Sequence, residues 1–383
     1  MLCPACHQDL NHEILRLEGL PVLCNALWPD AEQARACPRG EMRLIFCEHC
    51  GLLFNSAFDP SLMAYADDYE TSLHFSPTFQ RYAESLARSL VEEHDLEGRS
   101  AMEIGCGRGE FLILLRQAGM GHCLGFDRSF SPDLVTLPEG VEIQALYYNE
   151  AISNPTADLV CSRHVLEHIH QPGQLLEELA QALGPSALLY LEVPNALYTL
   201  EDGGIWDLIY EHCNYFTPPS LAWLLRAQGY LDVDVQTAYG AQFLASWSRK
   251  GPDGSTPGKI HEGASLLTLA RGLARLRTEK VAAFEEILAR ALGQDQRTAI
   301  WGAGSKGVTF LNSLPSGGQI ALAIDKNPRK QGKYLPGTGQ RIHSPEEAAE
   351  SPLDIVFVMN PIYASEIEQQ LRELGSDAEL VLV

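Results

Sequence analysis

The run Glu103-Ile104-Gly105-Cys106-Gly107-Arg108-Gly109-Glu110-Phe111 constrains this chain more than any other stretch. Arg99-Ser100-Ala101-Met102 before it can close a buried strand, and Phe111-Leu112-Ile113-Leu114-Leu115 after it carries helix-type apolar content. Three alternating glycines therefore fall in a tight strand-to-helix turn, where a missing Cβ lets backbone approach a ligand closely. A dinucleotide fingerprint would read Gly-x-Gly-x-x-Gly and seat a pyrophosphate on the helix N-terminus. Glu103, two residues before the first glycine, would repel a pyrophosphate and suits a ligand that carries an ammonium group. The next strand, His122-Cys123-Leu124-Gly125-Phe126-Asp127, ends in a carboxylate at about twenty residues' distance, as expected of one that grips ribose hydroxyls. The plainer readings are a glycine turn without a ligand and Asp127 as a helix N-cap. The two acids together favour a bound cofactor.

A chain of 383 residues allows two or three domains with sizeable cores. With 45% hydrophobic and 20% charged residues it reads as globular, and no apolar run is long enough to span a bilayer. Met1-Leu2-Cys3-Pro4 lacks the basic-then-apolar form of a signal peptide, so the expected location is the cytoplasm, with no membrane partner. A net charge of −22 argues against a nucleic-acid substrate, since phosphate contacts need clustered Lys and Arg. Ten cysteines in a reducing compartment point to metal ligation and buried thiols rather than disulfides.

Two Cys-x-x-Cys pairs, Cys3/Cys6 and Cys47/Cys50, carry the metal signal, because each pair lets two thiolates grip one tetrahedral ion. Four cysteines close the coordination shell, so a zinc there would be structural; Cys24 and Cys37 are spare. The separation between the pairs is wider than in a compact zinc ribbon and implies an insertion. A redox role is disfavoured, because no thioredoxin-type strand-helix pattern surrounds either pair.

A polar, aromatic connector from Asp59 to Phe79 follows, with Tyr65, Tyr69, Ser72, His74 and Ser76, and an amphipathic helix spans Thr78 to His94. Strand-like segments at Val141 to Ala145, Ala157 to Cys161 and Ala187 to Val193 alternate with helices, as right-handed crossovers of a parallel sheet require. His164-Val165-Leu166-Glu167-His168 also fits the inverted zincin pattern, but it lacks the protease context that reading needs. Tyr210-Glu211-His212-Cys213-Asn214-Tyr215-Phe216 falls after the fifth strand, near the sheet edge where substrates sit. An imidazole beside a carboxylate and two phenols can move protons and stabilise an oxyanion. Pro218 to Tyr230 reads as a helix and Asp232 to Ser248 as two β segments.

Beyond a linker at Gly251 to Gly258, His261 to Leu292 reads as one long helix, and a second small α/β unit follows. There Gly302-Ala303-Gly304-Ser305-Lys306-Gly307 is a Gly-x-Gly-x-x-Gly loop after the strand Ala299-Ile300-Trp301, and Asp325 ends the next strand. By itself this would suggest NAD. The segment from Asp325 to Thr338 is unusually basic for this acidic chain, so Lys306 and that cluster are candidates to hold a diphosphate.

The first glycine loop resembles motif I of the class I S-adenosylmethionine methyltransferases. Taken in order, the Cys3/Cys6/Cys47/Cys50 module, Glu103 to Gly109, Glu211-His212 with Tyr215-Phe216, and Gly302 to Thr338 resemble the three-domain carbon-methyltransferases of nucleotide-linked deoxy 4-ketosugars. The resemblance implies an α/β chain: a class I Rossmann-like methyltransferase domain, a small N-terminal zinc-binding module and a C-terminal Rossmann-like domain. The expected division is 1–58 for the zinc module, 59–96 for connector and lid helix, 97–250 for cofactor binding, and 251–383 for the long helix and acceptor domain. It further implies that Glu103, Gly105, Cys106, Gly107, Gly109, Asp127, Tyr148 and His164 line S-adenosylmethionine. Tyr69, Ser72, Gly302, Gly304, Lys306, Asp325 and Lys330 would meet the acceptor, a nucleotide sugar. His212 would take a proton α to a ketone, helped by Glu211, with Tyr210 or Tyr215 stabilising the enolate. Two departures lie near the acceptor: Ile209 stands where the family has a tyrosine, and Tyr239-Gly240-Ala241-Gln242-Phe243 where it has a Gly-Gly-Ser-type loop. The alternatives are O- or N-methylation of another small metabolite, an NAD-binding oxidoreductase, or a zinc-scaffolded binding protein.

Overall fold

A computed structural model describes the chain apart from residues 11, 64–68, 71, 152–154, 202 and 252–256, and the side chain of residue 134. Tyr65 and most of the expected linker lie outside the described residues.

The first sheet is antiparallel and holds β1 (Glu13–Pro21), β2 (Arg39–Phe46), β3 (Leu53–Asn55) and, from far along the chain, β9 (Asn214–Tyr215), in the order β1-β2-β3-β9. The second contains β4 (Ser100–Ile104), β5 (His122–Phe126), β6 (Val141–Gln144), β7 (Ala157–Arg163), β8 (Leu183–Pro194), β10 (Tyr230–Ala238) and β11 (Phe243–Lys250). Its order is β10-β11-β8-β7-β4-β5-β6, parallel from β6 through β8 and antiparallel at β11 and β10. Strand order reverses between β4 and β7, and a crevice forms at the carboxyl ends of the strands at such a switch point. The first glycine loop leaves β4 there. The third sheet, β12 (Thr298–Trp301), β13 (Leu322–Ile324), β14 (Ile342–His343), β15 (Ile355–Val358) and β16 (Glu379–Leu382), is wholly parallel in the order β14-β13-β12-β15-β16. Its reversal, between β12 and β15, likewise receives a glycine loop.

Local chemistry accounts for the helices. In Pro77–Glu93 the Ser76 hydroxyl caps the Phe79 amide, proline occupies the first turn, and Phe79, Ala83, Ala87, Leu90 and Val91 form the buried face at helical spacing. The long helix Gly263–Gly293 buries Leu266, Leu267, Ala270 and Leu273 in one half and Phe284, Leu288 and Ala291 in the other. Its partners come from both ends of the chain. Leu17, Met42 and Phe46 of the first sheet share one apolar cluster with Leu266 and Leu273 and with Ile300 and Phe357 of the last sheet. Side chains of Leu or Phe size contribute ~1.5–3 kcal/mol each on full burial, so residues beyond 250 stabilise the N-terminal sheet directly. No helix among the described residues is long and apolar enough to cross a membrane.

Candidate functional site

Each glycine of the first loop has a different reason to be glycine. All three have positive φ: 76° at Gly105, 55° at Gly107 and 80° at Gly109. A Cβ on Gly105 would meet Val165 at 2.3 Å and one on Gly109 would meet Ile143 at 2.5 Å, so these two are packing requirements. A Cβ on Gly107 would meet nothing within 4 Å, which leaves that backbone open to a ligand. Cys106 is buried, its Sγ filling the space left by Gly125 on β5. Asp127 accepts the Gly107 amide through Oδ2 at 2.7 Å and the Ser129 amide through Oδ1 at 2.9 Å. Glu103 is buried, with Oε2 lacking any hydrogen-bond partner among the described residues. Burial pushes its carboxyl up to about 8. An orphaned acid beside an open glycine is what a ligand with an ammonium group would satisfy, and a ribose diol fits Asp127, so these residues fit S-adenosylmethionine.

Two of the expected cofactor contacts stand differently. Tyr148 is buried, its ring edge-on to Phe126 and its hydroxyl donated to the Pro155 carbonyl at 3.1 Å, so it packs the core and cannot stack on a ligand. Tyr147 is the exposed member of the pair, 5.7 Å from the Arg128 guanidinium. His164 follows β7 with φ 54°, its Nε2 3.0 Å from Glu192 and its Nδ1 3.6 Å from Glu167. Burial alone would lower its pKa, but the Glu192 bond and the negative charge of the two neighbouring carboxylates raise it to about 9. Glu192 also takes Arg163 at 2.9 Å and the hydroxyls of Tyr82 and Tyr190. This buried network has no local signature, because its members come from a helix, a 3-10 turn and two neighbouring strands.

The Tyr210–Phe216 segment is bound against the 3-10 turn Leu166–His168. Cys213 Sγ donates to the Glu167 carbonyl at 3.4 Å and Asn214 Nδ2 to the Ile169 carbonyl at 2.6 Å. The rings of His168 and His212 are consequently brought edge-on, 4.8 Å apart. His212 Nδ1 is buried without a partner among the described residues. Burial, followed by the neighbouring His168 and His164, holds the His212 pKa well below the usual histidine value. The expected helpers are engaged elsewhere. The Glu211 carboxylate, fully buried and pushed up by that burial, accepts from the Cys24 amide and the Tyr69 hydroxyl rather than facing the His212 ring. Its backbone carbonyl accepts His168 Nδ1 at 3.0 Å. Tyr210 accepts from the Asp59 amide at 2.8 Å and Tyr215 donates to the Ile209 carbonyl at 2.9 Å, both buried. The Tyr215 proton is thus committed to the backbone, whereas Tyr210 is bound only as an acceptor. Tyr69, expected to meet the acceptor, instead holds Glu211, and Ser72 donates to Glu110 at 3.0 Å.

In the last sheet Asp325 Oδ2 accepts the Ala303 amide at 2.9 Å, repeating the Asp127–Gly107 arrangement. Gly302 has φ 114°, while a Cβ on Gly304 would meet only Asn25 and Lys330, both at 3.8 Å, so Gly304 is the open position. The cations expected to await a diphosphate are already paired. Lys306 bonds Asp207 at 2.9 Å and Gln242 at 3.2 Å. Lys330 is buried and props the loop through the Ala303 carbonyl at 3.1 Å, its Nζ bordering the open position at Gly304. Lys326 pairs with Glu366 at 3.0 Å, and Arg329 shares the Glu70 carboxylate with Arg108 of the first loop. Gln242 bonds Asn360 in both directions at 2.9 Å, so the Tyr239–Phe243 loop is fastened to the last sheet.

The four expected zinc ligands do come together. Cys3 and Cys50 sulfurs lie 3.7 Å apart, those of Cys6 and Cys47 3.4 Å, and all four are within 4.8 Å of one another. Zn–S bonds of about 2.3 Å in a tetrahedron put sulfurs about 3.8 Å apart, far beyond a disulfide's ~2.05 Å, so the cluster fits zinc. Cys24 and Cys37 are buried and stand outside it.

Two family models match the chain: a methyltransferase domain over residues 76–235 and a C-methyltransferase C-terminal domain over residues 263–382. The C-methyltransferase NovU of Streptomyces niveus is 28% identical over 390 residues, covering 97% of this chain and 92% of its own. The mitochondrial ubiquinone biosynthesis O-methyltransferase of Dictyostelium discoideum is 24% identical over 120 residues, 27% of this chain and 37% of its own. Among solved structures, the 1,6-didemethyltoxoflavin-N1-methyltransferase of Burkholderia thailandensis is 22% identical with a TM-score of 0.36, over 46% of this chain and 81% of that one.

Proposed function

As an S-adenosylmethionine-dependent methyltransferase with the domain composition of the C-methyltransferases, this protein, we propose, methylates a carbon α to the ketone of a nucleotide-linked sugar, in the cytoplasm. The observation that carries this reading is His212. It is held neutral by burial, and its Nδ1 has no partner among the described residues. Carbon is a poor nucleophile until a neighbouring carbonyl lets it lose a proton, so carbon methylation needs a base that oxygen methylation can do without. A neutral imidazole has the lone pair for that step. His168, fixed by the Glu211 carbonyl, sets the edge against which the His212 ring stands. Bound S-adenosylmethionine supplies the electrophilic methyl group; Glu103 would hold its ammonium and Asp127 its ribose.

The nucleotide half of the acceptor fits the second glycine loop, where Gly304 is open and Asp325 steadies the turn. A glycine loop and acid that repeat the first pair in a separate parallel sheet support a second nucleotide-type ligand, and the relative that spans nearly the whole chain is a C-methyltransferase. Cys3, Cys6, Cys47 and Cys50 would hold a structural zinc, since four sulfurs leave no position for water. The test is exchange of the acceptor's α hydrogen in deuterated water without the methyl donor. Wild-type protein should exchange it, and His212→Asn should suppress both exchange and methylation while both ligands still bind. Mass spectrometry of products from a panel of nucleotide-linked ketosugars decides the acceptor. A product methylated on oxygen or nitrogen would overturn the enolate scheme.

A further inference from the structure

Glu167, His168 and His212 each offer one ligand atom, and these atoms lie within 4.8 Å of one another. Glu167 is 1% exposed, and both of its carboxylate oxygens are buried without a hydrogen-bond partner among the described residues, as is His212 Nδ1. Buried polar atoms are nearly always satisfied, so orphaned atoms on two residues of one such cluster call for a missing partner. The nearest cation to Glu167, the His164 ring at 3.6 Å, is beyond hydrogen-bond length and is shared with Glu192. His168 has the outer-shell support of a metal ligand. A carbonyl only accepts, so the 3.0 Å contact with Glu211 places the proton on His168 Nδ1 and leaves Nε2 with a lone pair. Two imidazoles and one carboxylate are a ligand set for zinc, cobalt, nickel or ferrous iron rather than for magnesium or calcium. The inverted zincin spacing thus recurs with different membership: its first histidine, His164, serves Glu192, and His212 supplies the third ligand.

We infer that Glu167, His168 and His212 bind a divalent transition-metal ion, separate from the four-cysteine cluster, and that the bound ion blocks proton abstraction. The binding stands on the cluster alone; the block rests on the reading of His212 as base. A neutral imidazole has a single lone pair, its other nitrogen carrying the hydrogen. Once that pair is given to a metal, none is left for the substrate's α proton. The site would make carbon methylation sensitive to free transition metal.

Cobalt(II) titrated into the full-length protein, with the cysteine cluster already filled by zinc, tests the binding. One further equivalent should bind with visible ligand-field bands and without thiolate charge transfer. Glu167→Gln and His168→Asn should each weaken that binding at least tenfold. Because either variant could disturb folding, zinc-edge X-ray absorption of wild-type protein carrying two equivalents is the second measurement; it should show nitrogen and oxygen scatterers beside sulfur. Absence of a second equivalent, sulfur-only scattering, or folded variants that bind as wild type would overturn the site. α-Hydrogen exchange should fall with cobalt occupancy, return with chelator, and need at least tenfold more cobalt to fall in Glu167→Gln. Metal that binds as described while exchange continues at full rate would overturn the block and the assignment of His212 as base, independently of the site.

Discussion

Asp127 ties the first glycine loop to the neighbouring strand by accepting the Gly107 amide at 2.7 Å. The carboxylate thus orders the turn, and in the proposed function it would also meet the ribose. Gly107 itself faces open space. Gly107→Val should leave a folded protein, losing ~1–2 kcal/mol to the positive φ of 55°, while its side chain takes the ligand's place. S-adenosylmethionine affinity should drop at least tenfold. Calorimetry finding wild-type affinity in a folded variant would remove the loop from cofactor binding.

If Glu103 holds the cofactor's ammonium as proposed, cofactor binding should depend on pH. In the folded protein burial raises its carboxyl to about 8, whereas an unfolded chain ionises it near 4.5. Between those values the folded state holds the extra proton, so this residue's contribution to stability falls as pH rises from 4.5 to 8 and is level beyond. A cationic ligand reverses the burden by favouring the carboxylate. Binding at pH 7 should therefore release a proton, and affinity should climb toward pH 8. Calorimetry in buffers of different ionisation enthalpy measures the release, which Glu103→Gln should abolish; proton uptake by wild type would contradict the assignment.

The four-cysteine cluster predicts one tightly held zinc. Cys47→Ser should lower zinc content to well under half and destabilise the first sheet, because Cys3, Cys47 and Cys50 sit in one apolar cluster with Phe54, Phe216 and Trp223. Removal of a structural zinc ligand should cost several kcal/mol. Cys37→Ser, outside the cluster, should keep full zinc. Metal analysis that returned the opposite pattern would show the wrong ligands had been chosen.

The acceptor's nucleotide half can be tested at Gly304. Truncation at Lys250 is a poor test, because it removes Leu266 and Leu273 from the core of the N-terminal sheet. Gly304 has extended backbone with φ −104°, so Gly304→Val adds no backbone strain and fills only the open cradle. The acceptor KM should rise tenfold or more while S-adenosylmethionine affinity holds. A variant with unchanged acceptor KM would assign the last sheet another purpose.

What the sequence determined by itself was local. Glycine spacing at 105–109 and 302–307, the acids at 103, 127 and 325, the paired cysteines and the apolar period of the long helix each sit within a few residues of one another or follow a fixed strand-turn rhythm. Such patterns state their own geometry, because backbone period and ligand chemistry demand particular intervals. The tertiary structure decided which partner each polar side chain took. Tyr147 and Tyr148 are adjacent, and only the packing of Phe126 chose which one is buried. The Tyr210 hydroxyl went to Asp59, the Glu211 carboxylate to Cys24 and Tyr69, and Lys306 to Asp207, all across long stretches of chain. His168 and His212 met because Cys213 and Asn214 bond the turn at 166–169 while β9 joins the first sheet. A hydrogen bond needs its partners placed to within a few tenths of an ångström, and no interval along the chain specifies that until distant segments have packed.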